Sequence, residues 1–299
     1  MTERSILVLV ASICVAVVAA GTAHGARLAD WGPAASVESL PGSSREVNTE
    51  FLDGCPIQSP DGSRLYMASN RPGGAGGIDI WVATRTDPTS GFGLPVNLGA
   101  AVNSAADDFC PTPVRGGGLF FVSTRGGGCG GADIYFTRDH PVSGWSPPER
   151  LPCASGGGPN TGANEFSPSY VEDRGREYLF FSSGPDIFVS ERPHGGFGPG
   201  RPVAELNSPA DDLRPNVRKD GLEIVFDSTR GGGLPDIYAA TRPSVDAPWS
   251  PPVPLGPEVN TPFAETRASL SWDGRTLLFG SSQPGEGGAD IYIATRAAR

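Results

Sequence analysis

The sequence predicts an all-β fold: a five-bladed β-propeller of four-stranded antiparallel blades, its ring closed by an N-terminal strand that completes the last blade. Three observations predict it. The triplet Asp-Ile-aromatic recurs five times, at Asp79-Ile80-Trp81, Asp133-Ile134-Tyr135, Asp186-Ile187-Phe188, Asp236-Ile237-Tyr238 and Asp290-Ile291-Tyr292, at spacings of 54, 53, 50 and 54 residues. Each copy carries the same neighbours in the same order. The repeat is cut unevenly at the two ends, as a closed ring requires. A period of about fifty residues is the mark of a propeller or solenoid.

Within each unit the strands can be read in order. The first precedes a turn, which is Ser59-Pro60-Asp61-Gly62 in the first unit, Lys219-Asp220-Gly221 in the fourth and Trp272-Asp273-Gly274 in the fifth. Asp-Gly between apolar runs marks a hairpin, because glycine accepts the positive φ of a tight turn. The second strand is the apolar run ending in Ser: Leu65 to Ser69, Leu119 to Ser123, Tyr178 to Ser182, Glu223 to Ser228 and Thr276 to Ser281. The third carries Asp-Ile-aromatic. The fourth follows an aromatic residue and Gly or Ser: Phe92-Gly93, Trp145-Ser146, Phe197-Gly198 and Trp249-Ser250. Four such strands per unit, arranged radially, make a blade.

The fifth Asp-Ile-Tyr is followed by too few residues for a fourth strand. A matching segment stands at the other end, where Trp31-Gly32-Pro33 and Val47-Asn48-Thr49 parallel Trp249-Ser250-Pro251 and Val259-Asn260-Thr261. The N-terminal segment is therefore expected to supply the missing strand, which leaves no open edge. Residues 26–299 are read as one propeller domain.

Gly (42) and Pro (30) are numerous, but they fall at fixed places between apolar runs, so they mark turns and not disorder. A net charge of −10 with one lysine, Lys219, argues against nucleic acid, which needs clustered cations on phosphate. Arg4 before the apolar run Ile6 to Ala20, with Ala23 and Gly25 at the positions of a cleavage site, reads as a signal peptide over 1–25. Retention as an anchor is the other reading. The expected product is periplasmic or secreted, without a membrane span, and monomeric. Its cysteines Cys55, Cys110, Cys129 and Cys153 allow three pairings; we favour Cys55–Cys110 and Cys129–Cys153. A zinc site is the weaker reading, since no close cysteine pair exists and only His140 and His194 remain.

The run Asp107-Asp108-Phe109-Cys110-Pro111, then Leu119 to Arg125, a Gly-rich loop and Asp133-Ile134-Tyr135, resembles the WD40-like repeat of the TolB-type β-propellers. Ser-Pro-Asp-Gly at 59–62 fits the same pattern. The resemblance spans nearly all of residues 26–299, without the separate N-terminal domain of that family. It implies an envelope propeller that docks a protein partner.

Carboxylates stand before each first strand: Glu50, Asp107 and Asp108, Glu165, Asp211 and Asp212, Glu265. First strands are innermost, so these acids are expected to ring a channel mouth. There they could hold a basic segment, sugar hydroxyls or a cation such as calcium; the competing reading is that they build the blades. No other cofactor is expected. Asp79, Asp133, Asp186, Asp236 and Asp290 are read as structural, bonded to the Ser or Arg that ends the second strand. Arg71, Arg125 and Arg230 are read as internal partners. Trp81 and Trp272 break the repeat and so are candidates for something specific. No Gly-x-Ser-x-Gly elbow or phosphate loop occurs. The functional expectation is a non-catalytic, protein-binding scaffold. The alternative is a carbohydrate-binding or glycoside-hydrolysing propeller, which needs only two carboxylates about 5–9.5 Å apart.

Overall fold

The computed structural model describes residues 30–192 and 195–297. The signal segment read at 1–25 and its cleavage before Ala26 lie outside them, as does His194. Five sheets account for nearly all the regular structure. Blade one runs Asp53–Gln58, Arg64–Ser69, Asp79–Thr84 and Val96–Asn97. Blade two is Asp108–Val114, Gly118–Ser123, Asp133–His140 and Glu149–Arg150, with Gly144–Trp145 folded back on its third strand. Blade three is Glu165–Asp173, Arg176–Ser183, Asp186–Arg192 and Arg201–Pro202. Blade four is Asp212–Val217, Glu223–Ser228, Asp236–Thr241 and Val253–Pro254.

Blade five closes the ring. Glu265–Leu270, Thr276–Ser281 and Asp290–Thr295 receive their fourth strand from Ala35–Ser36, which pairs antiparallel with Ala35 opposite Ile293 and Ser36 opposite Tyr292. Trp31, the aromatic that announces this strand, is buried under the Arg296 guanidinium 4.4 Å from its ring. The same arginine cap sits on Phe92 (Arg85, 4.6 Å) and Trp249 (Arg242, 4.1 Å). These repeated aromatics pack between blades: Trp249 joins Phe180 and Val189 of blade three to Phe226 and Tyr238 of blade four in one cluster. Burying each such side chain contributes roughly 1.5–3 kcal/mol.

Every inner strand carries a bulge at the same place. The register shifts between Gly54 and Ile57, Phe109 and Thr112, Phe166 and Ser169, Leu213 and Asn216, and Thr266 and Ser269. At its centre stands a residue with positive φ: Cys55 (47°), Cys110 (47°), Ser167 (47°), Arg214 (55°) and Arg267 (56°). None is glycine, so each costs on the order of 1 kcal/mol, and five-fold repetition shows that the ring imposes it. The bulge turns these five side chains toward the axis. Cys55 and Cys110, neighbours in this ring, are joined by a disulfide, and a second joins Cys129 to Cys153. Among the described residues no helix is long and apolar enough to cross a membrane.

Candidate functional site

The acids of the repeat separate into two tiers. One carboxylate starts each inner strand: Asp53, Asp108, Glu165, Asp212 and Glu265, all fully buried. Each accepts the backbone N–H of the Ser or Thr four residues earlier, as in Ser104 N to Asp108 Oδ2 (2.6 Å) and Thr261 N to Glu265 Oε2 (3.0 Å). In blades one, two and four the carboxylate is Asp, and Arg71, Arg125 or Arg230 pairs with it. In blades three and five no arginine stands at that position, two residues past the serine that ends the second strand. The carboxylate is there the longer Glu, which reaches the hydroxyls of Ser183 (2.9 Å) and Ser281 (3.0 Å). Without a cationic partner, burial raises the carboxyls of Glu165 and Glu265 above the ordinary value, against the hydrogen bonds from Thr161 and Thr261.

The second tier is at the surface. Glu50 and Asp211 are exposed, and Asp107 is partly buried at the rim of a cavity, its Oδ1 accepting from Ile78 N (2.9 Å). Asp53 is the true counterpart of the other inner-strand acids in blade one, and sequence reasoning placed Glu50 there. Three aspartates of the Asp-Ile-aromatic triplet, Asp79, Asp133 and Asp290, bond otherwise than expected. Asp133 accepts from Cys129 N (2.8 Å) and Asp290 from Glu286 N (2.7 Å), so they hold their own loops and do not meet the second-strand Ser or Arg. Among the described residues no three His, Cys, Asp or Glu side chains gather as metal ligands.

A five-fold asparagine escaped sequence reasoning. Asn48, Asn103, Asn160, Asn207 and Asn260 each accept from the N–H and donate to the C=O of the Ile of the preceding Asp-Ile-aromatic, for Asn103 and Ile80 at 2.9 and 3.0 Å. The signal was present as Asn-Ser/Thr-x-x-x-Asp/Glu.

The axial channel is pinched in the middle. Where the bulge residues face each other the free space is about 30 Å³, room for about one water. Two wider mouths lie either side. At the face where inner strands begin is a cavity of about 430 Å³ lined by Leu52, Ile78, Phe109, Phe166, Arg214 and Arg267, among others. At the face where they end is one of about 380 Å³, to which all five blades contribute, with Gln58, Arg115, Tyr170, Glu172, Asp220 and Trp272 on its wall.

The second mouth brings together aromatic and acidic groups. Trp272 and Asp220 come from the hairpin turns of blades five and four, and Glu172 and Tyr170 from the end of the inner strand of blade three. Arg115 and Lys219 approach the Trp272 ring at 4.7 and 5.6 Å. Burial raises the Asp220 carboxyl, but Arg218, donating at 2.7 to 3.0 Å, and the N–H of Leu222 outweigh it and hold the group below its ordinary value. Burial, with Glu177 and Glu172 nearby, pushes the Tyr170 phenol up to about 12, so it stays a neutral donor. The amide nitrogen of Gln58 is enclosed and has no partner among the described residues.

No family model matches the sequence, and no curated protein matches it. Solved structures do match in fold. The catalytic domain of a GH62 α-L-arabinofuranosidase from Coprinopsis cinerea superposes with a TM-score of 0.59 at 13% identity, covering 90% of this chain and 97% of its own. A GH43 endo-arabinanase from Bacillus licheniformis gives 0.59 at 13%, covering 85% and 95%. A xylan β-1,4-xylosidase from Bacillus halodurans C-125 gives 0.56 at 17%, covering 84% of this chain and 54% of that one. At these identities the likeness is one of fold.

These matches correct the resemblance to TolB-type propellers. The neighbours are glycoside-hydrolase propellers, and the docking role that the resemblance implied, a non-catalytic envelope scaffold, falls with it. The physical reason lies in the repeat. Its shared residues (buried Asp108 and Ser123, the Arg125 that bonds both, and their equivalents) are blade-building contacts, so likeness in them reports a way of folding a blade and carries no partner.

Proposed function

We propose that this chain is a carbohydrate-active five-bladed propeller that takes a glycan at the mouth where its inner strands end, and that it hydrolyses glycosidic bonds there. The observation that carries the reading is the convergence at one channel mouth of Trp272, Tyr170, two carboxylates and an unpartnered amide. Sugars present apolar faces and rings of hydroxyls, so aromatic side chains with carboxylates and amides are the complementary surface. Asp220, held ionised by Arg218, suits a base or an oxocarbenium stabiliser; Glu172, the other carboxylate on the wall of this mouth, is the candidate proton donor. The fold of the arabinofuranosidase and arabinanase neighbours lends precedent for such chemistry on five blades. Two disulfides suit an oxidising compartment, so we place the protein outside the cytoplasm, with 1–25 as its signal peptide and 26–299 as its single domain.

The test is reducing-sugar release and binding across arabinans, xylans and cell-wall glycans. Glu172→Gln is expected to abolish release while keeping binding, and Trp272→Ala to weaken both. Absence of binding and of release over the whole panel would overturn the reading.

A further inference from the structure

At the opposite mouth the charges do not balance. Arg214 and Arg267 occupy the axial bulge positions of blades four and five, where blades one and two carry the Cys55–Cys110 disulfide. Both guanidinium-bearing residues line the cavity of about 430 Å³. One buried carboxylate, Asp227, serves them: Arg214 pairs with it through Nη1, and the backbone N–H of Arg267 donates to its other oxygen at 2.9 Å. The Arg267 side chain donates to no acceptor among the described residues, and its Nε is enclosed. Burial and repulsion from Arg214 bring Arg267 down to about 10, so it remains charged at neutral pH. Asp107 at the rim is occupied by Ile78 N and does not answer this charge. In a chain of net charge −10, two guanidiniums thus share one carboxylate at this cavity, and the Arg267 side chain has no hydrogen-bond acceptor of its own among the described residues.

Beyond the two arginines and the polar Asp107, Thr124 and Asn164, that cavity is lined by apolar groups. Leu52, Ala68, Ile78, Phe109, Ala132 and Phe166 form the wall across from the arginines. An enclosed guanidinium calls for a planar oxyanion that accepts two parallel N–H bonds, and an aromatic and aliphatic wall calls for a flat apolar body.

We propose that this mouth is a binding site for a small aromatic carboxylic acid, its carboxylate on Arg267 and Arg214 and its ring against Phe109 and Phe166. It is separate from the glycan site, across the pinch of the channel, and does not depend on it.

The test is calorimetric titration of the purified protein with benzoate, benzamide, acetate and inorganic sulfate. Benzoate is expected to bind at one site, about tenfold or more tighter than benzamide or acetate, while Arg267→Gln loses that preference and Arg267→Lys keeps part of it. Trp272→Ala, at the other mouth, is expected to bind benzoate unchanged. Benzamide or acetate binding as well as benzoate overturns the proposal, as does no binding. Sulfate binding as tightly as benzoate, an oxyanion site without use for the ring, also overturns it. Those comparisons use the unaltered chain and stand even if Arg267→Gln folds poorly. Benzoate failing while glycans bind removes this site alone; glycans failing while benzoate binds removes the other.

Discussion

The Arg125 guanidinium closes on the fully buried carboxylate of Asp108 at 2.6 Å, and the same arginine donates to Ser123 Oγ and to the carbonyl of Val102. One side chain thus ties the start of an inner strand, the end of the second strand and the loop that enters the blade. Arg125→Gln leaves Asp108 buried without its cation, and the expected loss is about 3–5 kcal/mol. Arg192→Gln, which breaks the half-exposed pair with Glu177, is expected to cost under about 1 kcal/mol. Urea unfolding of the two variants side by side checks the contrast, and equal losses would refute it.

Blades three and five answer the same burial without a cation, and this gives a pH dependence. The folded-state pKa values of Glu165 and Glu265 are raised, by burial first. The folded chain therefore holds these protons more tightly than the unfolded one. Stability from that source is complete below the ordinary carboxyl value and is lost as pH rises through the raised one. As pH rises from about 4, the ordinary carboxyl value, the double variant Glu165→Gln/Glu265→Gln should lose less stability than the parent. Melting temperatures measured across that rise in pH decide it; matching slopes would show that neither group titrates there.

Asn103 makes paired hydrogen bonds to Ile80 from a buried position. Asn103→Ala leaves a buried N–H and C=O unsatisfied, and the expected cost is about 2–4 kcal/mol, at 1–3 for each group and with some overlap. Hydrogen exchange at the Ile80 amide should accelerate in the variant relative to distant amides, such as that of Ile237. Unchanged protection at Ile80 would show that the staple holds nothing.

The Cys129–Cys153 disulfide spans 24 residues and joins the loop before the third strand of blade two to the segment after its fourth. Closing a loop of that size stabilises by roughly 3 kcal/mol. Replacing both cysteines with serine should lower the unfolding midpoint in urea by the corresponding amount. A midpoint that does not move would place the constraint elsewhere.

Blade number, strand order and closure were legible in the sequence because every Asp-Ile-aromatic triplet sits at one structural position, and of the three cysteine pairings left open the favoured one is formed. Glu50 was mistaken for the blade-one acid because the acid was expected ahead of the strand, whereas Asp53 opens the strand itself and is singled out by Thr49 four residues earlier. Arg214 and Arg267 lie two residues past Asp212 and Glu265, as Cys55 and Cys110 lie two past Asp53 and Asp108. Their place on the axis depends on a left-handed bulge that apolar patterning does not register. Trp272 stood out in the sequence because it breaks the repeat. Glu172 and Asp220 were harder: Asp220 sits in a turn that the blades share, Glu172 follows no repeat pattern, and the ring alone brings both to Trp272.

The pairing of Ala35 with Ile293 joins positions that lie almost the whole chain apart. Each blade can assemble from local hairpins as its residues become available, but the last has to wait for its opposite end. Until then Asp290–Thr295 presents a bare hydrogen-bonding edge. Completion of the ring is thus a single long-range event, expected to be slow relative to the hairpins. A second molecule's N-terminal strand fits that edge equally well, so crowded refolding should yield strand-exchanged dimers.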